Sequence, residues 1–208
     1  MSDRRRVVML VLALAVPIPG AAQTVEPGTD VAVGQPPLID VLHPDGGPDV
    51  RDRWQLELTG RFFLEVWDLN LYQEQLVGGA ITLSRLLTPN WTLGVETSLL
   101  HVNQEPIGNV LLPAVTVMVR WSVFRVGETS VFLDGGGGAS YASGEVPNRG
   151  TRFNLIFQSG VGLVRPLSPR IALVGGLRWL HVSNNSLHGR DHNPDIQALG
   201  LYIGWQVN

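Results

Sequence analysis

The 208-residue sequence contains no cysteine, which excludes disulfide bonds and thiolate chemistry. Lysine is absent as well, so all 15 basic residues are arginine. Charged residues make up only 16% of the chain against 44% hydrophobic residues, a low share of charge for a soluble domain. Because the net charge is −3 and no basic stripe is interleaved with aromatics, the sequence offers no surface for nucleic acid.

The N-terminus has the pattern of an export signal. Arg4–Arg6 precede an apolar run over Val7–Ile18, and small residues follow at Gly20–Ala22. This order predicts a secretory signal peptide over residues 1–22, with the mature chain starting near Gln23. The apolar run is too short to be a membrane-spanning helix, which needs roughly 20 residues.

Residues 23–52 are rich in proline, glycine and aspartate and show no sustained hydrophobic period. We predict an irregular periplasmic segment there, ahead of a single domain over residues 53–208.

Beyond Arg53 the sequence alternates between apolar residues and polar or small ones. In one stretch Val115, Val117 and Val119 share one face, while Thr116 and Arg120 share the other. A period of two at this length predicts β-strands. Eight such stretches can be counted, over residues 55–70, 75–87, 91–103, 110–125, 129–142, 151–165, 170–184 and 195–207.

The face that carries the charges decides between two β architectures. A soluble sandwich or lipocalin-like barrel turns its apolar face inward, and its strands are shorter. Here the charged residues lie opposite the aliphatic row: Arg61, Glu65, Arg120, Asp134, Arg152 and Arg178. A narrow membrane barrel with paired charges inside and aliphatic side chains toward lipid fits this pattern. We therefore predict an all-β, eight-stranded antiparallel transmembrane up-and-down β-barrel.

The connections between the predicted strands differ in length. Those after the second, fourth and sixth stretches are short, whereas those after the third, fifth and seventh are longer and more polar. Short periplasmic turns and longer outside loops are typical of outer-membrane barrels, with both termini in the periplasm. The first connection, around Tyr72–Glu74, is short for an outside loop.

One pair of residues suggests chemistry. His181 and Ser183 are two apart at the outer end of the seventh stretch, so their side chains project from the same face. Such neighbours can bring an imidazole nitrogen within reach of a hydroxyl and activate it as a nucleophile. The pair shares its parity with Leu177 and Trp179, and so continues the lipid-facing row. An acyl chain held in the outer leaflet is the substrate that this placement favours.

The His181–Asn184 sequence, followed by Asn193-Pro194 and a final strand, resembles the PagL-type lipid A 3-O-deacylases. The Phe153–Leu163 segment and the Gly135–Gly138 run share the likeness. The resemblance implies Ser183 as nucleophile, His181 as general base and Asn184 near the oxyanion. It also implies an acidic residue that orients the histidine.

Two residues compete for that acidic position. Alignment on Asn193-Pro194 puts Gln197 there, whereas counting forward from His181 favours Asp195. Both share their parity with Leu199, so both could face His181 from the adjacent strand. We prefer Asp195, because a carboxylate fixes the tautomer and also stabilises the imidazolium, while a glutamine could only hold the tautomer.

Other interpretations of these residues are weaker. His-x-Ser could be a polar rim at the lipid–water interface. A metal site built from His181, His188 and His192 would depend on a loop and lacks an obvious supporting acid. The Gly135–Gly138 run is not followed by the lysine of a phosphate-binding loop, so close backbone packing explains it better.

The strand pattern and the His181–Ser183 pair, together with the resemblance, imply an esterase, exported to a Gram-negative outer membrane, that removes an ester-linked 3-hydroxyacyl chain from lipid A. We expect lipopolysaccharide as its partner, no cofactor and no metal; a homodimer is left open. The alternative is a non-catalytic structural or adhesive barrel of the OmpA sort. A soluble lipocalin-like binder is the third candidate.

Overall fold

A computed structural model describes residues 54–66, 74–104, 108–187, 189 and 194–208, and the backbone of Ile39–Val41. The predicted signal peptide, residues 1–22, lies outside the described residues, as does most of the predicted periplasmic segment. In the part of the chain that is described, no helix is long and apolar enough to cross a membrane.

Eight long antiparallel strands close into a barrel, as the alternation predicts. Each strand pairs with the next along the chain, and the first and last barrel strands pair with each other. The strands are β1 (Ile39–Val41), β2 (Trp54–Glu65), β3 (Gln75–Leu86), β4 (Trp91–Gln104), β5 (Gly108–Val126), β6 (Thr129–Val146), β7 (Thr151–Pro166), β8 (Ile171–Ser183) and β9 (Ile196–Val207). The barrel itself consists of β2 to β9.

The short strand β1 lies within residues 23–52, the segment that the sequence predicts to be irregular. β1 pairs with Phe124–Val126 at the end of β5. The pairing of β5 with β4 stops at Trp121, which is opposite Trp91. After one more hydrogen bond, from the Ser122 N–H to the Asn90 carbonyl, β1 takes the place of β4 beside β5 and pairs with its last residues.

The outer surface of the barrel is apolar over its whole circumference. Side chains such as Leu58, Val115 and Leu201 are more than half exposed, while their strand neighbours are buried. A continuous band of exposed aliphatic side chains is stable against lipid and not against water. The lipocalin-like alternative, which needs the apolar face inside, is therefore wrong.

Paired charges fill the interior. Arg61 donates two hydrogen bonds to Glu96, at 2.6 and 2.5 Å. Arg120 binds Glu57, and Arg178 binds Asp134 as well as Glu96. Mutual compensation lets these charges lie away from water.

Arg152 departs from the predicted interior row. It is exposed near the start of β7, where its Nε–H donates to the Ala142 carbonyl at 3.0 Å and its guanidinium lies 4.9 Å from the centre of the Tyr141 ring. At the rim of the barrel a side chain of inward parity can turn toward water.

The turns at the end that holds the C-terminus are short, as predicted: residues 87–90, 127–128 and 167–170. At the opposite end the lengths differ from the prediction. Only three residues separate β4 from β5, because the ladder continues as far as the pair Gln104–Gly108. The connection between β6 and β7 is also short, with Val146 paired to Thr151. The first connection is longer than predicted, since β2 ends at Glu65.

Candidate active site

The His181 and Ser183 side chains meet on the outward face of β8, as their parity predicts, where His181 is partly exposed and Ser183 is only 6% exposed. The Nε2 atom of His181 lies 2.9 Å from the Ser183 hydroxyl oxygen. Antiparallel pairing places Phe157 of β7 and Gln197 of β9 opposite His181. The site therefore involves three neighbouring strands of a rigid sheet, next to the connection between β8 and β9.

Two aromatic rings flank the imidazole. Trp179 is stacked on it, with 5.8 Å between the ring centres and 15° between the planes, and Phe157 lies at 6.3 Å. These contacts restrict rotation of the His181 ring. The ring is thus held with Nε2 toward the serine and Nδ1 toward β9.

Both candidates for the acidic position lie on the Nδ1 side of His181. The nearer atom is Nε2 of Gln197, at 2.7 Å, while the Oδ2 atom of Asp195 is 3.5 Å away. The two candidates also contact each other, since the Gln197 amide donates to Asp195 at 2.6 Å. The structure thus brings both residues to the histidine and gives the closer contact to the amide.

Trp179 takes part in this arrangement in a way that the sequence does not reveal. Its indole N–H donates to the Oε1 atom of Gln197 at 3.1 Å. The sequence shows only that Trp179 shares the parity of His181. A contact between residues 18 apart depends on the register between β8 and β9.

The Asn184 side chain contacts the start of β7. It is almost fully buried, and its amide donates to the Thr151 hydroxyl at 3.2 Å. The chain then turns, with the Leu187 N–H bonded to the Asn184 carbonyl and positive φ angles at Asn185 and Ser186. Two positive φ angles at the centre of a hydrogen-bonded turn define type I′. This turn leads the backbone sharply away from Ser183.

A shallow apolar groove lies on the same outer face, two strands from Ser183. Leu155 is opposite Ser183, and Ala139 of β6 is opposite Leu155, which corresponds to a separation of roughly 10 Å. The small outward residues of β6 leave the surface recessed here. The groove is lined on the outside by Thr97, Pro113, Val115, Ala139, Tyr141 and Phe153.

No group of three metal-binding side chains occurs among the residues that the structure describes. His188 and His192, considered as partners of His181 in a metal site, lie outside those residues.

Comparison with known proteins identifies the family. Residues 51–206 match the sequence profile described as Lipid A 3-O-deacylase (PagL). The chain belongs to the PagL family. The matched range includes the whole barrel up to Gln206, so the PagL resemblance extends to the first strands and is not confined to the His-Ser region. No curated protein matches the sequence significantly.

Solved structures support the outer-membrane fold of this PagL-family chain. It is similar to Neisserial surface protein A (NspA), with a TM-score of 0.59, 11% identity, and coverage of 74% of this chain and 96% of the other. It is also similar to the outer membrane protein OprG from Pseudomonas aeruginosa, with a TM-score of 0.50, 9% identity, and coverage of 76% and 96%. At these identities the likeness concerns the fold alone.

Proposed function

We propose that this protein is an outer-membrane esterase that removes an ester-linked 3-hydroxyacyl chain from lipid A. The observation that carries the proposal is the 2.9 Å contact between His181 and Ser183 on the apolar outer face. A water-soluble substrate does not require a nucleophile that faces lipid, whereas a lipid ester at the outer leaflet does. Membership of the PagL family supports the same reaction.

In the proposed reaction, the Ser183 hydroxyl oxygen attacks the ester carbonyl while His181 Nε2 takes the hydroxyl proton. His181 then gives this proton to the departing sugar oxygen, which leaves an acyl-serine. Water hydrolyses the acyl-serine in a second step with His181 again as base. Asp195 is the proposed acid, since its carboxylate can accept a hydrogen bond from Nδ1–H and stabilise the imidazolium while it stays ionised.

For the oxyanion we propose the Asn184 backbone N–H, because the Asn184 side chain donates to Thr151. A donor aimed at the developing oxyanion lowers the barrier by roughly 3–4 kcal/mol. The apolar groove on β6 is the proposed binding site for an acyl chain of the substrate. We also propose that the signal peptide directs export and is cleaved before Gln23.

The test is mass spectrometry of lipid A from a Gram-negative host that expresses the protein. The wild type should remove one hydroxyacyl group, and Ser183→Ala should remove none while it still shows the heat-modifiable migration of a folded barrel. Ser159→Ala, on the outer face of β7 opposite Trp179, is the matched control and should keep the activity. Equal activity of wild type and Ser183→Ala would disprove the role of this serine.

A second candidate function, a non-catalytic structural barrel, is favoured by one observation: an amide rather than a carboxylate makes the closer contact with His181 Nδ1. Unchanged lipid A in every strain, despite confirmed insertion in the outer membrane, would support this candidate.

A further inference from the structure

The orientation of the Gln197 side-chain amide is determined by two of its neighbours. An indole N–H can only donate a hydrogen bond, and an ionised carboxylate can only accept one. Trp179 donates to Oε1 of Gln197 at 3.1 Å, and Nε2 of Gln197 donates to Asp195 at 2.6 Å. Turning the amide by 180° would set donor against donor at Trp179 and oxygen against oxygen at Asp195. The NH₂ group is therefore held on the side of His181.

This orientation decides which nitrogen of His181 carries the proton. The Gln197 NH₂ group lies 2.7 Å from Nδ1, and a donor at that distance requires an unprotonated nitrogen as acceptor. A neutral imidazole carries its proton on the other nitrogen. That nitrogen is Nε2, the atom 2.9 Å from the Ser183 hydroxyl oxygen. With a proton on Nε2 the ring donates to the serine and cannot take its proton.

We infer that Trp179 and Gln197 form a tautomer lock, which holds His181 in a resting state until Asp195 replaces the Gln197 amide at Nδ1. This inference rests on the proposed function of Ser183 and His181. In the exchange one proton leaves Nε2 for water and another binds Nδ1 from water, so the ring stays neutral. The Ser183 hydroxyl then faces a basic nitrogen.

The positions of Gln197 and Asp195 suit an exchange of partners at Nδ1. Gln197 is part of the β8–β9 ladder, directly opposite His181, and Trp179 anchors its side chain. Asp195 directly precedes β9, and its carboxylate is already 3.5 Å from Nδ1. A small shift of Asp195, together with rotation of the Gln197 side chain, is enough. Trp179 and Gln197 are thus positioning residues that act through the histidine.

The first test measures the tautomer directly, by ¹⁵N NMR of the histidine-labelled protein in detergent. The His181 signals are identified by their loss in His181→Gln. The wild type should show protonated Nε2 and unprotonated Nδ1. Trp179→Phe keeps the ring stack but removes the indole N–H, so it should shift the population toward protonated Nδ1. Trp205→Phe, an outward tryptophan near the other end of β9, is the control and should change nothing.

A wild-type protein with the proton on Nδ1 would overturn the lock, and so would a Trp179→Phe protein with an unchanged tautomer. This readout does not depend on activity. Ser183→Ala keeps Trp179 and Gln197, and its signals should still show protonated Nε2 even though deacylation is lost. Failure of the proposed function and failure of the lock are therefore distinguishable.

The second test places a carboxylate where the amide lies. In the double variant Gln197→Glu, Asp195→Asn, the new carboxylate faces Nδ1 and the new asparagine can donate to it. We expect protonated Nδ1 and deacylation at least about tenfold faster than in the wild type, since a positioned general base contributes roughly 10²–10⁴-fold. Trp179→Phe alone should also be faster than the wild type. Slower deacylation in both variants would contradict the lock.

Discussion

At the scale of single residues, the chemistry of this site depends on which atom faces His181 Nδ1. An acceptor there leaves Nε2 free to take the Ser183 proton, whereas a donor reverses the tautomer. The amide of Gln197 contacts Nδ1 at 2.7 Å. The carboxylate of Asp195 lies only 0.8 Å farther from Nδ1, at 3.5 Å. In the proposed reaction, the balance between these two side chains sets the rate of deacylation.

Asp195→Asn should therefore reduce deacylation strongly. Without this carboxylate the imidazolium loses the acid that is proposed to stabilise it, and a reduction of roughly 10²–10⁴-fold is expected from the loss of such a partner. The rate of lipid A deacylation, measured on purified protein in detergent, checks this. Glu128→Gln, in the short turn between β5 and β6, removes a carboxylate far from His181 and should leave the rate unchanged. An Asp195→Asn protein as active as the wild type would exclude Asp195 as the acid.

The sequence is sufficient to pair His181 with Ser183, because two residues of equal parity on a strand must share a face. It also brings Asp195 and Gln197 to the same face. It cannot rank the two, since the 2.7 and 3.5 Å distances depend on side-chain rotamers and on where β9 begins. The contribution of Trp179 requires the exact register of two strands, which alternation alone does not fix.

At the scale of strands, alternation predicts the membrane-facing parts well and the ends poorly. Within lipid the outward side chains are predominantly apolar, so the pattern is strong. Outside the lipid the outward side chains need not be apolar. Small or polar residues such as Ser143 and Gly144 therefore continue β6 without the alternation of apolar and polar residues. The outer connections after β4 and β6 were consequently predicted too long. The same reasoning explains why β1, only three residues long, carries no recognisable pattern.

Strand β6 gives a prediction at this scale, because its small outward residues form the floor of the apolar groove. Ala139→Phe should fill the groove and slow deacylation about tenfold if an acyl chain lies there, without loss of the folded barrel. Leu133→Phe, outward on the same strand near its other end, is the matched control and should have no effect. Deacylation rates and heat-modifiable migration of both variants are the measurements. Equal rates for Ala139→Phe and the wild type would remove the groove from the proposal.

At the scale of the whole molecule, the barrel places its apolar side chains toward lipid and its charged side chains inside, where they pair with one another. A chain with few charges concentrates them in the lumen, where three arginines, Arg61, Arg120 and Arg178, meet three carboxylates, Glu57, Glu96 and Asp134. The charges of this set sum to zero. These paired charges join strands from around the barrel, and they leave the outer wall free for the proposed chemistry.

Glu96 is central to this set, because it contacts both Arg61 and Arg178 as well as the Gln158 amide. Glu96→Gln would keep the shape of the side chain but leave one buried arginine charge uncompensated. We expect the folded barrel to lose about 3–5 kcal/mol of stability, the usual cost of removing one partner from a buried ion pair. Urea unfolding in detergent, followed by heat-modifiable migration, measures this loss. Glu145→Gln, an exposed carboxylate in the same barrel, should change the stability by less than about 0.5 kcal/mol, as surface substitutions usually do. If Glu96→Gln unfolded at the same urea concentration as Glu145→Gln, the paired interior would not be what holds the barrel together, and the outer apolar band and the closed ladder would have to suffice.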